Sequence, residues 1–129
     1  MIGVERTDFV GIAVTDRERA VRFYGETLGL RRNELAHEEW PEFETGNATL
    51  LLTTPEQTGI PFAPSQTAIA LRVADVGEAM AKLRGAGVEF PHEEPYDSSV
   101  CHMAFFKDPD GNALILHHRH APYADGSTP

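Results

Sequence analysis

Six histidines in a chain of 129 residues, His37, His92, His102, His117, His118 and His120, are the side chains best suited to bind a metal or move a proton near neutral pH. The run His117-His118-Arg119-His120 is the densest cluster. On a strand, however, residues 117 and 118 point to opposite faces and make a poor chelating pair, and His120 falls where the strand ends and reads as solvated tail. Hairpin geometry gives a sharper pair. If Asp108-Pro109-Asp110-Gly111 is the turn joining the last two strands, Ala104 lies opposite Ile115 and His102 opposite His117. Cross-strand neighbours have Cβ atoms about 4.5–5.5 Å apart, so these two histidines could contact a ligand, act as acid and base, or share a metal. The plainer reading leaves both satisfied by water and backbone.

Other groups are less distinctive. Trp40, Glu42 and Glu44 precede a hairpin, and a carboxylate beside apolar neighbours can serve as a general base, although a solvated strand residue is the simpler reading. Arg72 shares the alternation of Ala68 and Ala70 and could contact an anion or pair with a neighbouring acid. Cys101, the single cysteine, lies in an apolar strand and reads as a small core residue rather than a nucleophile.

These residues are positioned by a pattern that occurs twice, about sixty residues apart. Ile12-Ala13-Val14-Thr15-Asp16 and Ala20 match Leu71-Arg72-Val73-Ala74-Asp75 and Ala79, and Gly46-Asn47-Ala48 matches Gly111-Asn112-Ala113. In the first copy, Phe9 to Val14 alternates as a strand, and Asp16 caps a helix whose apolar stripe is Ala20, Val21, Phe23, Tyr24 and Leu28, ended by Gly29. Leu30 to Glu34, Glu42 to Thr45 and Ala48 to Thr53 are predicted strands, the last two joined at Gly46-Asn47. Three prolines and a glycine between Pro55 and Ser65 suit an exposed linker. The second copy has a strand over Ala68 to Val73, a helix capped at Asp75 with the stripe Val76, Ala79, Met80 and Leu83, and strands over Val88 to Phe90, Val100 to Phe106 and Ala113 to His118. One domain is expected over 1–129: module one about 7–54, linker 55–66, module two about 67–119 and a tail over 120–129.

The frame Val10 to Leu30, V-G-I-A-V-T-D-x-x-x-A-V-x-F-Y-x-x-x-L-G-L, resembles the opening of the vicinal oxygen chelate superfamily, which includes glyoxalase I, fosfomycin-resistance enzymes, extradiol dioxygenases and bleomycin-resistance proteins. Phe105-Phe106-Lys107-Asp108-Pro109-Asp110-Gly111-Asn112 is similar to the same family's second-module hairpin. The resemblance implies an α+β fold in which two tandem βαβββ modules form a curved mixed sheet closing into a cup, with the helices on its outer face. It also implies a homodimer. In the family's metal enzymes the ligands sit at positions that fall here on Phe9, Ala68, Leu50 or Leu51, and Ile115. None of these side chains has a lone pair to offer a divalent ion. Asp8 does not rescue the site, because strand parity sends it to the opposite face. Glyoxalase I, fosfomycin transferase and ring-cleaving dioxygenase chemistry therefore lose their main support.

Acidic residues outnumber basic ones 20 to 11, giving a formal charge of -9, and no basic run appears, which argues against nucleic acid and anionic membranes as partners. The lone cysteine and the lack of a long apolar stretch suit a cytoplasmic protein. The reading that follows is a metal-free protein holding an aromatic or amphipathic small molecule in an apolar cup lined by Phe9, Trp40, Glu44, Leu51, Ala68, Arg72 and Ile115. His102 and His117 would supply polar contacts or catalysis, and no cofactor is expected. The alternative is a lyase, isomerase or dioxygenase-like enzyme using pocket His and Glu residues or a divalent metal at a non-standard site. Which of Glu42 and Glu44 or Phe43 and Thr45 face the cup turns on the register at Leu50 and Leu51.

Overall fold

The computed structural model describes residues Met1–Pro129, which form two compact units, Met1–Pro64 and Ser65–Pro129. Each unit carries one copy of the repeat and one four-stranded mixed sheet, so the strands make two sheets rather than one continuous sheet, and neither closes on itself. The class is α+β, with the strand and helix order of tandem βαβββ modules.

In the first unit, β1 (Val10–Ala13) leads to α1 (Arg17–Arg22), which continues into π-helical turns over Phe23–Thr27, and then to β2 (Arg31–Arg32), β3 (Glu42–Glu44) and β4 (Thr49–Thr53). The sheet order is β1-β4-β3-β2, with β1 parallel to β4 and the other pairs antiparallel. The Asp16 carboxylate accepts from the Arg19 amide at 3.0 Å and so caps α1. Gly29, at φ 73°, ends the helical segment, and the Leu30 amide donates back to the Tyr24 carbonyl. Gly46-Asn47 forms a two-residue turn, closed by the Thr45 amide on the Ala48 carbonyl. The expected linker contains a short helix, α2 (Pro55–Thr58), because Thr54 and Gln57 form a reciprocal capping box and Pro55 stands where a missing N–H costs nothing.

In the second unit, β5 (Ile69–Arg72) leads to α3 (Val76–Gly85), capped by Asp75 on the Glu78 amide, and then to β6 (Tyr96–Asp97), β7 (Cys101–Lys107) and β8 (Ala113–Arg119). The order β5-β8-β7-β6 repeats the first sheet. Val88 to Phe90 does not form the expected strand. Its apolar side chains pack without pairing the backbone: the Phe90 ring lies 5.4 Å from that of Phe106, beneath the Arg84 guanidinium. Arg84 also donates to the carbonyls of His92 and Glu93, which fixes this irregular segment before β6. Asp16→Ala and Asp75→Ala are each expected to cost about 1 kcal/mol, read from urea midpoints with unchanged slope.

Parity divides each sheet into a covered and an open face. In the first unit Ile12, Phe43, Leu50 and Leu52 are buried with Ala20, Phe23 and Tyr24 of the helical segment. In the second, Ala104, Phe106, Leu114 and Leu116 are buried with Val76, Met80 and Leu83 of α3. The residues between them in sequence therefore face away from the helices. No helix is long and apolar enough to cross a membrane.

Candidate functional site

On the first sheet, Gly11 pairs with Leu51, and Leu51 with Glu42, while Glu44 pairs with Thr49 and Arg31. The parallel pairing with β1 resolves the register: Leu51 belongs to the open face, and Leu50, paired with Phe43, to the core. Glu42 and Glu44 share the open face, and Phe43 does not. Phe9, one residue before β1, continues the alternation of Gly11 and Ala13 and is exposed. The Glu44 carboxylate accepts from the Thr49 hydroxyl at 2.9 Å, which holds it along the sheet. Trp40 lies outside the strands, in the turn before β3, where its amide donates to the His37 carbonyl.

The second sheet presents a continuous row across all four strands. Arg72 pairs with His117, His117 with Met103, and Met103 with Tyr96, so these side chains share the open face. Beside it runs a shorter row, Ala70, Ile115 and Phe105. Ala68, one residue before β5, continues the alternation of Ala70 and Arg72. Tyr96 is 61% and Phe105 42% exposed, unusual for large aromatic groups with no ordering role in a core. Arg72 reaches the Arg119 carbonyl at 3.5 Å, which orients the guanidinium at the β5 edge of the row. A depression of only about 10 Å³ lies among Met80, Phe90, Tyr96, Met103 and Phe105. It has room for about one water molecule, so the open face and not this depression is the candidate surface.

The expected cross-strand pair of His102 and His117 is not formed. His102 lies opposite His118, and His117 opposite Met103. The cause is the turn, which holds five residues, Asp108 to Asn112, between the paired Lys107 and Ala113. Asn112 belongs to it because its amide and side-chain nitrogen both donate to the Asp108 carboxylate, while its Oδ1 accepts from the Ser65 amide. One added residue shifts the register by one, and with a period of two that moves His102 to the other face. His117 alone stays with Arg72 on the open face. His118 is held by its Nδ1, 2.8 Å from the Val73 carbonyl. An acid–base pair of His102 and His117 has no geometric basis.

Phe9, Leu51, Ala68 and Ile115, the positions where the resemblance places metal ligands, all follow open-face parity in their own sheets. Hydrocarbon and phenyl side chains cannot coordinate a divalent ion, so the donor set does not fit that metal centre. Tyr96, Met103 and Phe105 are open-face residues that sequence reasoning missed. For Met103 and Phe105 the signal was the alternation of β7, readable only once the five-residue turn fixes the register, whereas Tyr96 lies on a two-residue strand too short to carry one.

The sequence profile of the Glyoxalase/Bleomycin resistance protein/Dioxygenase superfamily matches residues 6–116. No curated protein matches the chain. Among solved structures, TnmS3, an antibiotic-binding protein from a Streptomyces species, is 25% identical, with 93% of this chain and 100% of that chain covered and a TM-score of 0.74. A superfamily member from Sphaerobacter thermophilus is 26% identical, covering 88% of this chain and 97% of its own, at TM-score 0.72. Lactoylglutathione lyase from Agrobacterium tumefaciens is 17% identical, covering 88% and 93%, at TM-score 0.69, a likeness of fold. With the profile extending over nearly the whole of both modules, the chain belongs to the glyoxalase/bleomycin resistance protein/dioxygenase superfamily.

Proposed function

We propose that the protein is a small-molecule-binding protein that takes an aromatic or amphipathic ligand on its open sheet face, with no metal in that site. The observation that carries this reading is the open-face row Tyr96, Met103, His117 and Arg72, with Phe105 and Ile115 beside it, in which Tyr96, Phe105 and Arg72 are exposed and the others half-buried. Aromatic and thioether side chains give a planar ligand apolar area and ring contacts. The Arg72 guanidinium and the His117 imidazole stand together at one side, where they recognise a carboxylate, phenolate or carbonyl substituent. The similarity to an antibiotic-binding protein points the same way. The proposal requires no bond to form or break, and the apolar donor-free positions Phe9, Leu51, Ala68 and Ile115 suit it.

The test is a thermal-shift and calorimetric screen of aromatic carboxylates and amphipathic aromatic antibiotics with a chelator present, since a ligand that binds only the folded state raises its melting temperature. At least one aromatic acid is expected to bind. Phe105→Ala and Arg72→Gln should each weaken it about tenfold or more, equivalent to about 1.4 kcal/mol. For Arg72→Gln the loss should be smaller with a neutral analogue. A panel that never shifts the melting temperature, or binding indifferent to both substitutions, would reject the proposal.

A further inference from the structure

We infer that Asp97, His102 and His120 form a binding site for a divalent transition-metal ion, on the opposite face of the second sheet from Arg72 and His117. Asp97 and His102 are directly paired across β6 and β7, and His102 Nε2 lies 3.1 Å from Asp97 Oδ1. His120 follows β8, and its ring centroid is 5.1 Å from that of His102. One ligating atom from each of the three residues lies within 4.8 Å of the others. Metal–ligand bonds of about 2.0–2.2 Å place neighbouring ligand atoms about 2.8–3.6 Å apart, from octahedral to tetrahedral coordination, so the Asp97–His102 separation already suits two positions on one ion. The three side chains are exposed.

Two imidazoles and a carboxylate are a borderline-soft donor set, which selects Zn²⁺, Ni²⁺, Co²⁺ or Cu²⁺ over Mg²⁺ and Ca²⁺. The ion would lie between His102 Nε2 and Asp97 Oδ1, with water filling its remaining positions. The framework is built without the metal. Ser98 is fixed in the β6–β7 turn by reciprocal contacts with Cys101: its amide donates to the Cys101 carbonyl at 2.9 Å and its Oγ accepts from the Cys101 amide at 3.0 Å. The His120 and Ala121 amides both donate to the Val100 carbonyl. On the other side, the Arg119 guanidinium donates to the Ala121 and Pro122 carbonyls and lies 4.6 Å from the Tyr123 ring centroid. His120 Nε2, 3.3 Å from the Ser98 carbonyl oxygen, is oriented by that acceptor as outer-shell groups orient metal-binding histidines. A bound ion would link β6, β7 and the segment after β8. This inference is independent of the ligand-binding proposal, whose screen is run with a chelator.

The experiment is calorimetric titration of the full chain, free of any histidine tag, with ZnCl₂ and NiCl₂, beside melting curves with and without metal. One ion per chain is expected, with the melting temperature raised by about 5–10 °C at metal near a hundredfold above Kd. His102→Ala and His120→Ala should each weaken binding at least about tenfold, and Asp97→Asn measurably. His92→Gln, a surface histidine outside the site, should leave it unchanged. Melting curves without metal verify that the variants fold, and the absorption spectrum of added Co²⁺ reports histidine ligation directly. The inference is overturned if no ion binds, if binding survives loss of both histidines, if His92→Gln weakens it as much, or if Mg²⁺ competes at equal concentration.

Discussion

Phe43→Ala is expected to lower the free energy of unfolding by about 3–5 kcal/mol, a large part of what a domain of this size possesses. Phe43 occupies the middle residue of the three-residue strand β3, pairs with Leu50, and is 0% exposed. Its ring lies 6.1 Å from that of Tyr24, which in turn meets Phe23 edge to face at 5.3 Å. A Cβ on Gly25 would stand 3.2 Å from Phe43 Cε1, so the π-helical turn approaches the ring as closely as a glycine allows. Truncation removes the ring from a space that strand and helix backbones border, and backbones collapse poorly into cavities. Phe43→Leu, which keeps much of the volume, should cost less than half as much. Urea unfolding decides the matter: the midpoint should fall with the slope unchanged. A loss below about 1 kcal/mol would show that this ring does not organise the first unit's core.

Local chemistry explains which parts of this arrangement the sequence disclosed. Asp16 and Asp75 are readable because a capping carboxylate acts on an amide three residues away, within its own segment. The positions Phe9, Ala68 and Ile115 are those the family resemblance implies, supported by the repeat that aligns Phe9 with Ala68, and the pairing of β1 with β4 and β5 with β8 puts them on open-face parity. The contrast at Val88 to Phe90 is instructive: an apolar run declares that side chains will be buried, and Phe90 does pack on Phe106, but burial alone does not supply a strand partner. β6, with two residues, is too short to show any period, so Asp97 went unnoticed as the neighbour of His102. His120 lies beyond the last strand and is placed by hydrogen bonds to Val100 and Ser98, which no periodicity records. The polar constellations thus depend on turns, where one residue more or less changes the face on which everything after it lies.

Asp108→Ala is the sharpest test of that dependence and is expected to cost about 2–4 kcal/mol. Asp108 is 5% and Asn112 3% exposed, so neither has water to replace a lost partner. The carboxylate accepts from the Asp110 amide at 2.9 Å, the Asn112 amide at 2.9 Å and Asn112 Nδ2 at 2.8 Å. Alanine would strand buried donors, each costing about 1–3 kcal/mol in the absence of rearrangement. The damage reaches the start of the module, because Asn112 Oδ1 receives the Ser65 amide and the Ala113 amide returns to the Ser65 carbonyl. Asp108→Asn retains one acceptor oxygen and should cost about half as much. Ligand binding on the open face should weaken with stability, because the five-residue turn places Phe105 opposite Ile115 and Met103 opposite His117. Hydrogen exchange at the Lys107 and Ala113 amides separates a loosened turn from a weakened core: protection there should fall in Asp108→Ala before it falls in the middle of β7. A variant that melts with the parent and keeps those amides protected would show that the register is set elsewhere in the sheet.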